Sequence, residues 1–137
     1  MRVRELMNGA LVTVRADLPV PDARQLMNER RIRHLLVTND SRELEGIVTD
    51  RDIRSNLPSP ATSLSVWEIN HLLHQLTVGQ VMTSAVITIG PDRESREAAQ
   101  LMLDHKIGAL PVVDGGHLVG ILTETDLLRA FVAHAGH

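Results

Sequence analysis

The sequence predicts an α/β (α+β) fold in which two β-α-β-β-α repeats pack as one pseudo-twofold module. Three observations carry this prediction. Displacing the chain against itself by 75 positions aligns Val3–Thr38 with Val78–Val113, with 12 identities in 36 positions, among them Met7/Met82, Thr13/Thr88, Asp17/Asp92 and Ile32/Ile107. The second half has one residue fewer in the following turn, so the offset becomes 74, and Leu44–Ile53 matches Leu118–Leu127 at five positions in ten. Within each half, short apolar runs alternate with a segment of helical spacing. An internal repeat of this kind sets the architecture before any local assignment.

The elements follow in order. Val3–Met7 reads as a short helical turn and Leu11–Val14 as an apolar strand. Pro19 to Arg31 is a helix with Ala23, Leu26 and Met27 at core spacing. His34–Thr38 and Leu44–Val48 are strands joined by the polar turn Asn39–Glu43, antiparallel if that turn closes a hairpin. Thr49 then opens a closing helix. The second repeat is expected to run the same way: strand Val86–Ile89, helix Pro91–Lys106, strand Leu110–Val113, turn Asp114-Gly115-Gly116, strand Leu118–Leu122, and a helix from Thr123 to about His134. Asn56 to Ser65, with Pro58, Pro60 and three serines, breaks the first closing helix. A linker helix begins at the capping box Ser65-Val66-Trp67-Glu68 and carries Ile69, Leu72, Leu73 and Leu76 on one face. The expected partition is residues 1–57 for the first repeat, 58–76 for the linker and its helix, and 77–137 for the second repeat, whose leading turn starts at Thr77-Val78-Gly79-Gln80.

The densest match between the halves is Gly46-Ile47-Val48-Thr49-Asp50-Arg51-Asp52 against Gly120-Ile121-Leu122-Thr123-Glu124-Thr125-Asp126. Each reads as a strand running into the first turn of a helix, with Thr opening the turn and Asp three residues later. A helix start presents unpaired N–H groups and partial positive charge, which suits an anion such as phosphate. An ionised carboxylate only accepts hydrogen bonds, which suits a vicinal diol such as a ribose. The same Thr-x-x-Asp pattern also closes a capping box and needs no ligand to explain it. One copy alone favours the capping reading; two copies in matching contexts favour the binding reading.

Composition narrows the function. The chain of 137 residues has no cysteine, which removes disulfide, thiol and Cys–zinc chemistry and fits a reducing compartment. No apolar run approaches the roughly 20 residues that span a bilayer, and a soluble, cytoplasmic protein is expected. Trp67 and Phe131 are the only aromatic residues, so the core is built from Leu, Ile, Val, Met and Ala. The near-absence of aromatic platforms and a formal net charge of −3 both weigh against nucleic acid. His71 and His74 stand three apart on the linker helix, but no third ligand has metal spacing, and no metal is expected. His134 and His137 read as a frayed tail. No nucleophile elbow, Walker loop or His-Glu-x-x-His occurs, so no catalytic residues are assigned and an enzyme is not expected.

The repeat, the strand–helix order and the paired Gly-hydrophobic-x-Thr-x-x-Asp motif together resemble the CBS domain, and two in tandem resemble a CBS pair, or Bateman module. The resemblance runs from about Val3 to Phe131 and includes Glu5-Leu6-Met7, Gln80-Val81-Met82 and Leu110-Pro111-Val112-Val113. The linker Ser59-Pro60-Ala61-Thr62-Ser63-Leu64 is similar to that of bacterial acetoin-utilisation-type CBS proteins. In those an ACT domain often follows; the sequence ends at His137, so none is expected here.

The resemblance implies a regulatory module whose two clefts between repeats bind adenosine-containing ligands: AMP, ADP, ATP or S-adenosylmethionine, with magnesium accompanying ATP, and no other cofactor. By the family's pattern, Asp52 and Asp126 hold ribose hydroxyls, and Thr49 and Thr123 meet the ribose or α-phosphate. Thr13, Val14, Thr88 and Ile89 line the adenine, and Ala109 and Pro111 belong to the second set. Arg33-His34 resembles the basic pair of nucleotide-binding repeats, whereas its counterpart Gly108-Ala109 carries no charge, and Arg51 is matched by Thr125. Solvated surface for the arginines and a satisfied core position for His34 are the competing readings. The asymmetry predicts two unequal sites, one better suited to phosphate. A homodimer and a separate effector protein are the expected partners. The alternative function is a structural dimerisation module with vestigial pockets.

Overall fold

The computed structural model describes residues 1–57 and 63–134. The linker residues Ser59-Pro60-Ala61-Thr62 and the tail residue His137 lie outside the described residues. The elements are α1 (Val3–Leu6), β1 (Thr13–Val14), α2 (Val20–Arg30), β2 (His34–Thr38), β3 (Leu44–Thr49), α3 (Asp50–Ser55), α4 (Val66–Gln75), α5 (Val78–Val81), α6 (Ser95–His105), β4 (Ala109–Asp114), β5 (His117–Thr123) and α7 (Glu124–His134). The mixed α/β arrangement of two repeats is the one the sequence predicts.

The chain forms two compact units, and they are cut differently from the sequence repeats. One unit is Val12–Ala85; the other joins Met1–Leu11 to the chain from Val86 onward. The leading segment of each repeat has therefore been exchanged. Val78, from the second repeat, is fully buried in a core with Val20, Ala23, Leu35, Val48 and Ile53. Val3, from the first repeat, is fully buried with Ala98, Met102, Leu110, Val112 and Leu122.

The two leading segments dock by the same backbone bonds. Val3 and Arg4 donate to the carbonyls of Arg93 and Pro91 at 2.9 and 2.8 Å, as Val78 and Gly79 donate to Leu18 and Ala16 at 2.9 and 2.8 Å. The Arg4 side chain adds an ion pair to Asp92 at 2.9 Å, and this arginine holds the Asp92 carboxyl below the usual aspartate range.

In the Val12–Ala85 unit, β2 pairs with β3 in antiparallel fashion and with β1 in parallel, giving the order β1-β2-β3. The linker helix α4 starts at the expected Ser65–Glu68 capping box. It lays Ile69, Leu73 and Leu76 half-buried in this unit, while Leu72 stays 47% exposed.

In the other unit, β4 and β5 form a hairpin closed by Gly115 and Gly116, both at positive φ (56° and 84°). Such a two-residue turn matches strand twist and demands glycine-like conformations. The expected strand Val86–Ile89 does not form; only Ile89 bridges β4, opposite Val112. The cause is Pro111. In the first unit Leu36 N–H donates to the Val12 carbonyl at 3.4 Å, and Pro111, which holds Leu36's place in the repeat, has no N–H to donate.

Helix α6 also begins later than the expected Pro91. Gly90 to Arg93 make a turn closed by the Arg93 N–H on the Gly90 carbonyl at 3.4 Å, with Pro91 at its second position. Arg31 and Lys106 end α2 and α6 in matching left-handed conformations, with φ of 55° and 54°.

Candidate functional site

Each unit carries one Thr-x-x-Asp turn, built in the same way. In the first, β3 delivers Thr49 to the start of α3 opposite His34 at the start of β2. The Asp50 N–H donates to the Arg33 carbonyl at 2.9 Å, which fixes the residue before β2 against the turn. In the second, Thr123 stands opposite Ala109, and the Glu124 N–H donates to the Gly108 carbonyl at 3.0 Å. The positions of Arg33-His34 and Gly108-Ala109 are thus equivalent in space as well as in sequence.

The capping box is real in both. Thr49 N–H donates to Asp52 Oδ2 at 2.8 Å, and Asp52 N–H donates to Thr49 Oγ1 at 3.1 Å. Thr123 N–H donates to Asp126 Oδ2 at 2.8 Å, and Asp126 N–H donates to Thr123 Oγ1 at 3.3 Å. All four groups are partly buried. The box engages one carboxylate oxygen only. Oδ1 of Asp52 and of Asp126 accepts no hydrogen bond among the described residues. A helix cap and an acceptor for an outside hydroxyl therefore coexist on one side chain, and the two readings of the motif do not compete.

The turns differ in their hydroxyls. Thr123 Oγ1 donates to Asp126 Oδ2 at 3.0 Å, so its proton is engaged within the turn. Among the described residues Thr49 Oγ1 only accepts, from Asp52 N–H, so its proton is available to another acceptor. The charges differ in the same sense. Arg33 and Arg51 are exposed, and their guanidinium groups make no hydrogen bond or ion pair among the described residues. At the second turn, Gly108 and Thr125 stand in their places. His34 is half-buried on β2.

The remaining candidates lie on the other side of the central strand. Thr13 and Val14 pair with Leu36 and Val37, across β2 from β3, with Thr13 exposed and Val14 buried. In the second unit, Ile89 N–H donates to the Pro111 carbonyl at 3.1 Å, which places exposed Thr88 and buried Ile89 beside β4. Ala109 and Pro111 are buried on that strand. The structure thus brings Arg33, His34, Thr49, Arg51 and Asp52 to one end of a sheet, with Thr13 and Val14 on the opposite edge strand.

Two residues that the sequence did not single out hold these turns. Thr83 exchanges both backbone bonds with Ile47, at 3.0 and 2.9 Å, and Asn8 does the same with Ile121, at 2.9 and 3.0 Å. Ile47 and Ile121 each stand two residues before the threonine of the turn. The signal available in the sequence was their equal spacing after the repeated Met7 and Met82. On α4, His74 Nδ1 contacts the Asn70 carbonyl at 2.7 Å and His71 Nε2 contacts the Gln75 amide at 3.1 Å. Among the described residues no three metal-ligating side chains cluster.

The chain is a tandem repeat in which each half ends a strand in a Thr-x-x-Asp turn. The CBS domain model matches residues 3–59 and 78–133, and the chain belongs to that family. It is 34% identical over 131 residues to a CBS domain-containing protein of Dictyostelium discoideum, covering 95% of this chain and 90% of that one. It is also 31% identical to part of a homoserine O-acetyltransferase of Methanosalsum zhilinae, spanning 96% of this chain but 24% of that enzyme.

Among solved structures it resembles AcuB of Vibrio cholerae, assigned to acetoin utilization, with 29% identity, TM-score 0.80, and 99% and 93% of the two chains covered. The CBS domain pair of MJ0100, solved with 5′-methylthioadenosine and S-adenosyl-L-methionine, is 25% identical with TM-score 0.80 and 97% of each chain covered. CBSX2, solved in complex with AMP, is 30% identical with TM-score 0.77 and 96% of each chain covered. No helix among the described residues is long and apolar enough to cross a membrane.

Proposed function

We propose that the protein is a regulatory module that binds adenosine-containing ligands at its two Thr-x-x-Asp turns and passes the resulting conformational change to a separate cytoplasmic partner. The observation that carries this reading is that Oδ1 of Asp52 and of Asp126 accepts no hydrogen bond among the described residues, while the capping box holds each carboxylate through Oδ2. A carboxylate so fixed accepts ribose hydroxyls without first reorganising. Ligands seen with similar CBS pairs, S-adenosyl-L-methionine, 5′-methylthioadenosine and AMP, all contain that ribose.

The two turns divide the ligand class between them. Arg33, Arg51 and the free Thr49 hydroxyl proton suit a nucleotide phosphate at the first turn, with His34 alongside and magnesium accompanying ATP. The second turn, with Gly108, Ala109 and Thr125, suits an adenosine that carries no phosphate. Thermal denaturation with AMP, ADP, ATP and S-adenosylmethionine tests the reading, because a ligand specific for the folded state raises the midpoint with its concentration. AMP and S-adenosylmethionine should each stabilise the protein, and Arg33→Ala should reduce the AMP effect alone. No shift with any of the four would refute the proposal.

The module also acts as a homodimer in this reading, through helices α6 and α7. Leu103, Leu128, Phe131 and Val132 on these helices are 63–73% exposed, an unusual concentration of large apolar side chains. Sedimentation at micromolar concentration should give twice the chain mass; a single species of 15.1 kDa would rule the dimer out. The same apolar face is what favours the second reading, a dimerisation module that binds no nucleotide, and the thermal measurement separates the two.

A further inference from the structure

We propose that the two binding turns are coupled through the exchanged leading segments, so that a ligand on one turn orders the adenine-side strand of the other repeat and strengthens binding there. The proposal rests on the binding reading above and adds to it a route between sites.

The route is a chain of named bonds. Thr83 holds Ile47 by two backbone hydrogen bonds, two residues before Thr49. From Thr83 the chain continues through Ser84–Ile87, four residues, to Thr88 and Ile89 of the second repeat. Ile89 is in turn tied to β4 by the bonds Ile89 N–H to Pro111 carbonyl at 3.1 Å and Val113 N–H to Ile89 carbonyl at 2.9 Å. The reverse route has the same form. Asn8 holds Ile121, two residues before Thr123, and Gly9–Val12 lead to Thr13 and Val14.

The tethers are short. Five Cα steps reach at most about 17 Å when fully extended, so little slack separates the bridge at one end from the strand at the other. The bridge itself is packed: a Cβ on Gly46 would lie 2.8 Å from the Thr83 carbonyl oxygen and 2.6 Å from Met82 Sδ.

The tether from Thr83 to Ile89 is also weakly held at rest. Pro111 gives its N-terminal part no ladder bond, Ser84 and Ala85 are exposed, and Ile89 makes an isolated bridge rather than a strand. A segment with few backbone bonds has conformational freedom to lose. A first ligand that restrains it removes part of the ordering cost that a second ligand must meet, which is positive coupling between sites, and by linkage the effect is reciprocal.

Hydrogen exchange on the full-length Asp126→Asn protein reads the relay directly, because AMP then has only the first turn to occupy. Saturating AMP should slow exchange at the amides of Asp52, Thr83 and Ile89. In the wild type, AMP should tighten S-adenosylmethionine binding by roughly 5- to 10-fold, within the usual range of such coupling. Inserting two glycines between Ser84 and Ala85 should keep the protection of Thr83 and abolish that of Ile89. Protection confined to the first turn, or protection of Ile89 that survives the insertion, would overturn the relay while leaving the binding reading intact. An absence of protection even at Asp52 would overturn both.

Discussion

At the scale of single residues, the proposed function turns on two oxygen atoms. Asp52 and Asp126 each use Oδ2 as the acceptor of a helix cap, and among the described residues Oδ1 accepts no hydrogen bond. Removing either side chain should therefore have two separable effects. Losing the cap costs about 1 kcal/mol of stability. Losing a charge-assisted bond to a ribose hydroxyl costs roughly 1.5–3 kcal/mol of binding, equivalent to about 10- to 150-fold in affinity. Asparagine separates them: it keeps one oxygen for the cap and replaces the other acceptor with an N–H₂ donor. The asymmetry between the turns also lives at this scale. The Thr123 hydroxyl donates to Asp126 Oδ2 whereas among the described residues the Thr49 hydroxyl only accepts, a difference that identical sequence letters could not disclose.

At the scale of elements, the exchange of leading segments is the main determinant of packing. Gly46 and Gly120 exist for it. A Cβ at either position would lie 2.6 Å from a methionine sulfur, Met82 or Met7. The second-nearest obstacle differs. At Gly46 it is the Thr83 carbonyl at 2.8 Å, a backbone atom; at Gly120 it is again the Met7 side chain, with the Asn8 carbonyl only at 3.2 Å. Overpacking of this kind costs about 1–3 kcal/mol. Gly46→Ala should fall at the upper end and stay there when combined with Met82→Ala, because the backbone clash persists. Gly120→Ala should be milder and largely relieved by Met7→Ala. Chemical denaturation of the four variants checks this, and equal rescue of both glycines would contradict the packing described.

Much of this level was legible in the sequence. The two hairpins, the turn at Gly115-Gly116 and both capping boxes follow from local chemistry, and local chemistry is what a sequence displays. The exchange was not legible, because Val3 and Val78 occupy the same place in the repeat and periodicity cannot say which sheet either one joins. The missing strand Val86–Ile89 was legible in principle. Its cause is a proline on the next strand, beyond helix α6, whose absent N–H matters only once Leu36 and Pro111 are seen to be equivalent.

At the scale of the whole molecule, the chain is two copies of one Thr-x-x-Asp turn, each set in a unit completed by a segment of the other repeat. Duplication supplies two such turns; divergence at Arg33, His34 and Arg51 makes them chemically unequal. Its relatives show the same module both as nearly the whole of a protein and as about a quarter of an enzyme. The central claim is that both Thr-x-x-Asp turns bind adenosine through their aspartates. Isothermal titration of AMP and of S-adenosylmethionine into the wild type, Asp52→Asn, Asp126→Asn and the double variant tests it most directly. Each single substitution should abolish or weaken by at least about tenfold one binding event, the double should remove both, and melting temperatures should change little. Unchanged affinities in all three variants would show that the aspartates serve only as helix caps and would contradict the account.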